Sequence, residues 1–281
     1  LEERMFERRD LPNRRSYGVS LLVDGSASML QPRDLRSDRK RPWALAAATL
    51  GAWTLARLAD ELQIEFEVAI FNRGFVAASG DTERTYVERR GLATGALRRT
   101  QGGAAVRLTR TVNHYLVKSF PSRWRAAEDA LAGLFWMAAA PQEAAKETRK
   151  DPNTAPPISM FDKAANVDEF NLAHAAERLS ARNVSHRIIV VLADGLTRGS
   201  GEALAETASS IERGGTMVLG IGIGDETVQA AYSRNQVVER PDALASAMVD
   251  GVRSALFRSI ADEGGDTWWT HATERIAQHT S

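Results

Sequence analysis

Leu21-Leu22-Val23-Asp24-Gly25-Ser26-Ala27-Ser28-Met29 is the stretch on which the fold turns. Tyr17 to Val23 is a short apolar run bounded by turn residues, which suits a buried strand. Asp24 follows at the strand's carboxyl end, and Ser26 and Ser28 come at steps of two before a helical segment. An Asp-x-Ser-x-Ser loop turns one carboxylate and two hydroxyls toward a single point. Hard oxygen donors of this kind suit a small divalent cation, Mg²⁺ or Mn²⁺, which takes few protein ligands and keeps waters or accepts a partner's oxygen. Asp and Ser are also ordinary turn and helix-cap residues. The position after an apolar strand favours the metal, because ligands of open α/β sheets bind beyond the carboxyl ends of strands.

Further along, the chain alternates strands and helices. Trp43 to Leu62 is dense in Ala and Leu and reads as a largely buried helix. Ile64 to Phe71 reads as a second strand, central or near an edge. Gly74 to Val106 is broken by glycines and carries Arg89, Arg90, Arg98 and Arg99; it reads as a long surface loop, its arginines solvated or holding an acidic partner. Leu108 to Lys118, Trp124 to Ala139 and Asp168 to Ala181 read as helices. His186 to Leu192 is a continuous β-branched run fit for a sheet centre, and Ala193-Asp194-Gly195 follows it. Glu202 to Glu212 reads as a helix closed by Gly214-Gly215, Thr216 to Ile223 as a buried strand, Val228 to Tyr232 as a short helix, Gln236 to Glu239 as an edge strand and Ala243 to Ile260 as a last helix. The expected fold is α/β: a doubly wound, mainly parallel sheet with helices on both faces and an insertion between about 74 and 165.

Asp194 stands where Asp24 does, past the end of a buried strand and before Gly, so the two carboxylates can meet at one cation. Other signals lead nowhere. Gly220, Gly222 and Gly224 have the wrong spacing for a dinucleotide fingerprint, and their alternation suits close packing on one strand face. The chain has no Gly-Lys-Ser/Thr phosphate loop, and its five His residues lack zinc-ligand spacing. Ser26 and Ser28 have no nearby His in the sequence to make either a nucleophile. The chain is therefore expected to be non-catalytic by itself.

Lys plus Arg and Asp plus Glu balance at 36 each, so nothing argues for bulk attraction to nucleic acid or to an anionic membrane. Cysteine is absent, which fits a reducing cytoplasm. No apolar run reaches membrane-spanning length, and the start is charged, unlike a signal peptide. The first residue is Leu1, as in a fragment or trimmed chain.

Asp24-Gly25-Ser26-Ala27-Ser28 resembles the metal-ion-dependent adhesion site of von Willebrand factor A (VWA) domains. The resemblance implies a metal on the loop after the first strand, two further loops completing the site, and a partner's carboxylate in the last coordination position. Asp194-Gly195 matches the Asp-Gly that closes such sites, usually through water. The third loop usually offers a Thr; here Asn166 falls at that position and Asp168 two residues on, so either is the candidate, with helix capping a further role for Asp168. Asn166-Val167-Asp168 with Ala175-Ala176-Glu177-Arg178-Leu179, the run His114 to Ser119, and Leu219 to Gly224 are similar to the CobT subunit of cobaltochelatase, more than to adhesion-type VWA domains. The resemblance covers about residues 17 to 258. It implies a VWA domain over 17–260, while the Arg- and Glu-rich stretch 1–16 reads as a charged arm and 261–281 as a tail. It also implies an AAA+ ATPase partner of the CobS or MoxR kind. That ATPase would act on a third component: a chelatase subunit, or a client protein being remodelled. A stand-alone binding or adhesion module is the remaining alternative. Nucleic acid and membrane are not expected as partners.

Overall fold

The computed structural model describes residues 16–30, 44–77, 88–101, 104–140, 143, 167–195, 197, 199–240 and 243–261. Its strands are β1 (Tyr17–Asp24), β2 (Glu65–Ala77), β3 (Glu88–Gln101), β4 (Ala104–Lys118), β5 (His186–Ala193), β6 (Thr216–Ile223) and β7 (Arg234–Val238). Its α-helices are α1 (Ala44–Glu61), α2 (Trp124–Ala139), α3 (Asp168–Ser180), α4 (Gly201–Arg213), α5 (Val228–Ala231) and α6 (Leu244–Ala261). The arm before Ser16, the tail after Ala261 and Asn166 lie outside the described residues.

The strands form one sheet in the order β3-β4-β2-β1-β5-β6-β7. The four pairings from β2 through β1, β5 and β6 to β7 are parallel, while β4 runs antiparallel to both β2 and β3. β1 sits near the middle, with β2 and β5 on either side. Successive side chains of a strand point to opposite faces, so β1 feeds two cores. Val19, Leu21 and Val23 pack with Leu45 and Leu55 of α1, Leu131 and Leu134 of α2, and Met248 of α6. Leu22 packs on the other face with Leu172 and Leu179 of α3, Leu204 of α4 and Tyr232. This is the doubly wound, mainly parallel α/β fold expected from the sequence.

Within the stretch from 74 to 165 the details differ from expectation. Leu108 to Lys118 is strand, not helix: it belongs to β4. Leu108, Val112 and Leu116 recur every four residues, and four is a multiple of both periods, so the spacing fits a strand face as well as a helix face. The neighbouring β2 decides between them by supplying a hydrogen-bonded ladder. Gly74 to Val106 is likewise not one long loop. It completes β2, supplies β3 and opens β4, and Arg89, Arg90, Arg98 and Arg99 lie in β3. Residues 78–87 and 102–103 lie outside the description.

The alternating glycines of β6 have the packing role expected of them. A Cβ at Gly220 would stand 2.3 Å from the Tyr232 ring, and one at Gly222 would stand 2.2 Å from the Asp225 carbonyl oxygen. The segment from Asp225 to Tyr232 therefore lies directly on the strand because these positions have no side chain.

Candidate metal centre

β1 delivers Asp24 to the sheet's carboxyl edge, opposite Phe71 of β2. The loop that follows is fixed by its own backbone. Gly25 N–H donates to the Phe71 carbonyl at 2.8 Å, and Asn72 Nδ2 donates to the Gly25 carbonyl at 3.1 Å. Ser26 N–H donates to Asp24 Oδ1 at 2.7 Å, the turn in which an Asp accepts from the residue two positions on. A short 3₁₀ helix, Ala27–Leu30, follows, and the fully buried Met29 anchors it in the core.

Four of the expected side chains come together here. Ser26 Oγ and Ser28 Oγ are 2.9 Å apart, and Ser28 Oγ donates to Asp194 Oδ1 at 2.8 Å. Asp194 arrives from the end of β5, the neighbour of β1. Asp24, Ser26 and Asp194 are buried, while Ser28 is exposed, so the group opens to the surface at Ser28.

The electrostatics are unusual for a carboxylate that the fold has hidden. Burial pushes the Asp24 pKa up to about 7, and the like charge of Asp194 pushes it the same way. Hydrogen bonds from the Ser26 amide and hydroxyl and from the Asp194 amide oppose the rise. Asp24 Oδ2 is buried with no hydrogen-bond partner among the described residues. A buried, unsatisfied carboxylate oxygen beside a second carboxylate is costly unless a cation joins it. The donor set of two carboxylates and two hydroxyls fits Mg²⁺ or Mn²⁺. Among the described residues, no group of three or more His, Cys, Asp or Glu side chains could hold a metal ion.

The third loop is only half described. Asn166 lies outside the described residues. Asp168 is the first residue of α3 and not its cap; Val167 holds the cap position and no side chain caps it. Asp168 is tied instead to the loop after Asp194, where its N–H donates to Thr197 Oγ1 at 3.2 Å. Thr197 Oγ1 donates in turn to Glu169 Oε2 at 3.0 Å, and Glu169 Oε1 accepts from Ser200 N–H at 3.2 Å. Thr197 and Glu169 thus join the second and third loops, and neither was singled out from the sequence. The signal available for Thr197 was its place three residues after Asp194. Tyr232 was also missed: it is 2% exposed and lies on Gly220, and no sequence pattern marks a ring that fills the space left by a glycine.

No helix among the described residues is long and apolar enough to cross a membrane. No protein-family model matches the sequence, and no curated protein matches it. Solved structures similar to the chain include VWA domains. The VWA domain of SpRpn10 is 11% identical over 84% of this chain and 95% of its own, with a TM-score of 0.46. A von Willebrand factor type A protein from Catenulispora acidiphila is 14% identical over 84% of this chain and 42% of its own, with a TM-score of 0.40. Proximal thread matrix protein 1 of the mussel byssus is 12% identical, with a TM-score of 0.46; the chain spans 84% of itself but less than half, 46%, of that protein.

Proposed function

We propose that the chain is a VWA-type protein-interaction subunit whose binding depends on a divalent cation, Mg²⁺ or Mn²⁺. The observation that carries this reading is the convergence of Asp24, Ser26, Ser28 and Asp194 around an unsatisfied Asp24 carboxylate oxygen. In the proposal Asp24 and Asp194 balance the charge of the ion, Ser26 and Ser28 offer hydroxyl oxygens, and Asn166 or Asp168 adds a donor from the third loop. Bound there, the ion supplies an open coordination position for a carboxylate oxygen of a partner. The chain's own residues hold and orient the contact; they carry no turnover.

The sequence likeness to CobT guides the choice of partner. An AAA+ ATPase ring of the CobS or MoxR kind would engage this subunit in the cytoplasm and pass its motion to a chelatase subunit or to a client protein. The test is a pull-down from host lysate with the full chain as bait, in Mg²⁺ and in EDTA. Retention of an AAA+ ATPase in Mg²⁺ alone, and its loss with Asp24→Ala, is the expected result. Equal retention in EDTA or by Asp24→Ala would sink the metal-bridging reading.

A further inference from the structure

His114 and His174 lie far apart in the sequence, one on β4 and the other on α3. The fold brings their rings to 4.9 Å between centres, at 88° to each other. His114 is fully buried and stands opposite Phe71 in the β2–β4 ladder. The His174 side chain is 20% exposed, so the pair reaches from the core to the surface. Sequence spacing could not reveal it, because a strand supplies one ring and a helix the other.

The hydrogen bonds fix where the protons are. The Val167 carbonyl can only accept, and it takes a hydrogen from Asn171 Nδ2 at 2.9 Å. That leaves Asn171 Oδ1 facing His114 Nδ1 at 3.0 Å. An amide oxygen accepts, so His114 Nδ1 carries the proton and Nε2 holds a lone pair. Burial lowers the His114 pKa to about 3, so no second proton fills that lone pair near neutral pH. On His174, Nδ1 faces Glu177 Oε2 at 3.7 Å, which favours the same tautomer. Nε2 of both rings is buried with no hydrogen-bond partner among the described residues. Two lone pairs cannot satisfy each other; both need an electron acceptor.

A ring whose Nδ1–H is held by an oxygen while Nε2 stays free is the usual state of a metal-binding histidine. Two imidazoles that share a tetrahedral ion at about 2.0–2.1 Å stand about 5 Å apart between centres, and this pair meets that spacing. Nitrogen donors select Zn²⁺ over Mg²⁺. The charge of Arg178 acts on His114, but Arg178 is itself paired with Glu67. The protein offers two ligands, and water reaching the partly exposed His174 completes the set.

We propose that His114 and His174 form a second metal site, which takes Zn²⁺ or a similar borderline divalent ion through both Nε2 atoms. The site is separate from the Asp24 centre and does not rest on the interaction reading above. An ion held there would tie α3 to β4.

The probe is Zn²⁺, titrated into the full chain with ¹⁵N-labelled histidine rings in excess Mg²⁺, so that the oxygen site is saturated. The five histidines are told apart through His→Gln variants at the other four positions, which leaves buried His114 intact. The Nε2 signals of His114 and His174 should shift together and saturate at one equivalent, in wild type and in Asp24→Ala alike. His174→Gln, at a partly exposed position, should weaken binding about tenfold or more, since removing even a hydrogen-bond partner of a ligand costs that much. Zn²⁺ should also raise the melting temperature of wild type and not of His174→Gln. Shifts confined to His271 or His279 would mean an adventitious ion only and overturn the proposal. So would a shift of one ring of the pair without the other, or no saturable shift, which would leave the two lone pairs to water. Uptake only by Arg90→Ala, Arg90 being opposite His114 in the β3–β4 register, would show the native pair to be blocked and overturn it as well.

Discussion

Glu67 and Asp24 are both carboxylates with no exposure at all, and the fold treats them in opposite ways. Glu67, inside β2, receives Arg178 from the last turn of α3. Nε donates to Oε1 at 2.9 Å and Nη2 to Oε2 at 2.5 Å, a two-pronged pair. Asp24, at the end of β1, receives backbone and hydroxyl hydrogens, and the charge acting on it is another carboxylate. Among the described residues, the fold thus supplies a counter-ion to one buried acid and none to the other. In the proposal, a divalent cation supplies to Asp24 the balance that Arg178 gives Glu67. That contrast is what supports the proposed metal.

The contrast can be broken from either side. Arg178→Met should strand Glu67 and cost about 3–5 kcal/mol, the range for removing one partner of a buried ion pair, measured by urea unfolding. A loss below about 1 kcal/mol would show that Glu67 does not depend on its internal partner, and the comparison would lose its first half.

The second test concerns Asp24. Its pKa stands at about 7 in the folded protein against 3.8 ordinarily, so between those values the folded state holds a proton that the unfolded chain has lost. Its contribution to stability therefore falls as pH rises through that window, when no metal is present. Buried His114 acts oppositely: burial lowers its pKa from 6.5 to about 3, so its contribution rises with pH between those values. The difference between wild type and Asp24→Asn isolates the carboxylate. In EDTA the variant should gain on wild type from pH 4 to pH 7, by on the order of 2 kcal/mol. Mg²⁺ should stabilise wild type and leave the variant unmoved in thermal melts. A flat difference across that range would mean that Asp24 is already balanced within the chain.

The smallest effect sharpens the first. Glu65, two residues before Glu67 on β2, pairs with Arg182 at 2.5 Å, but both side chains are about one-third exposed. Arg182→Ala should cost less than about 1 kcal/mol by the same urea measurement, because water replaces the lost partner. A cost equal to that of Arg178→Met would show that burial is not what separates these pairs.

What was legible in the sequence follows from burial on both faces. Tyr17–Asp24, His186–Ala193 and Thr216–Ile223 are covered on both sides and read as unbroken apolar runs, so the strands and the acids that end two of them could be placed. β4 escaped because its spacing of apolar residues fits both periodicities, and β3 because its glycines and arginines resemble a loop. Of the candidate centre, Asp24, Ser26, Ser28 and Asp194 were legible because each is tied to a strand end. Thr197 and Tyr232 were not, since each takes its place from contacts across the chain that leave no local pattern: Thr197 bridges two loops, and Tyr232 answers to Gly220.

The placement of β1 has a mechanical consequence. A pull on a partner held at Asp24 would enter the molecule at the carboxyl end of a strand with neighbours on both sides. β1 is in parallel register with β2 from Gly18 to Asp24 and with β5 from Tyr17 to Val23. Tension along that strand is borne in shear by two ladders at once, so no single hydrogen bond can open ahead of the rest. A contact made there would be set into the part of the sheet best suited to resist being drawn out.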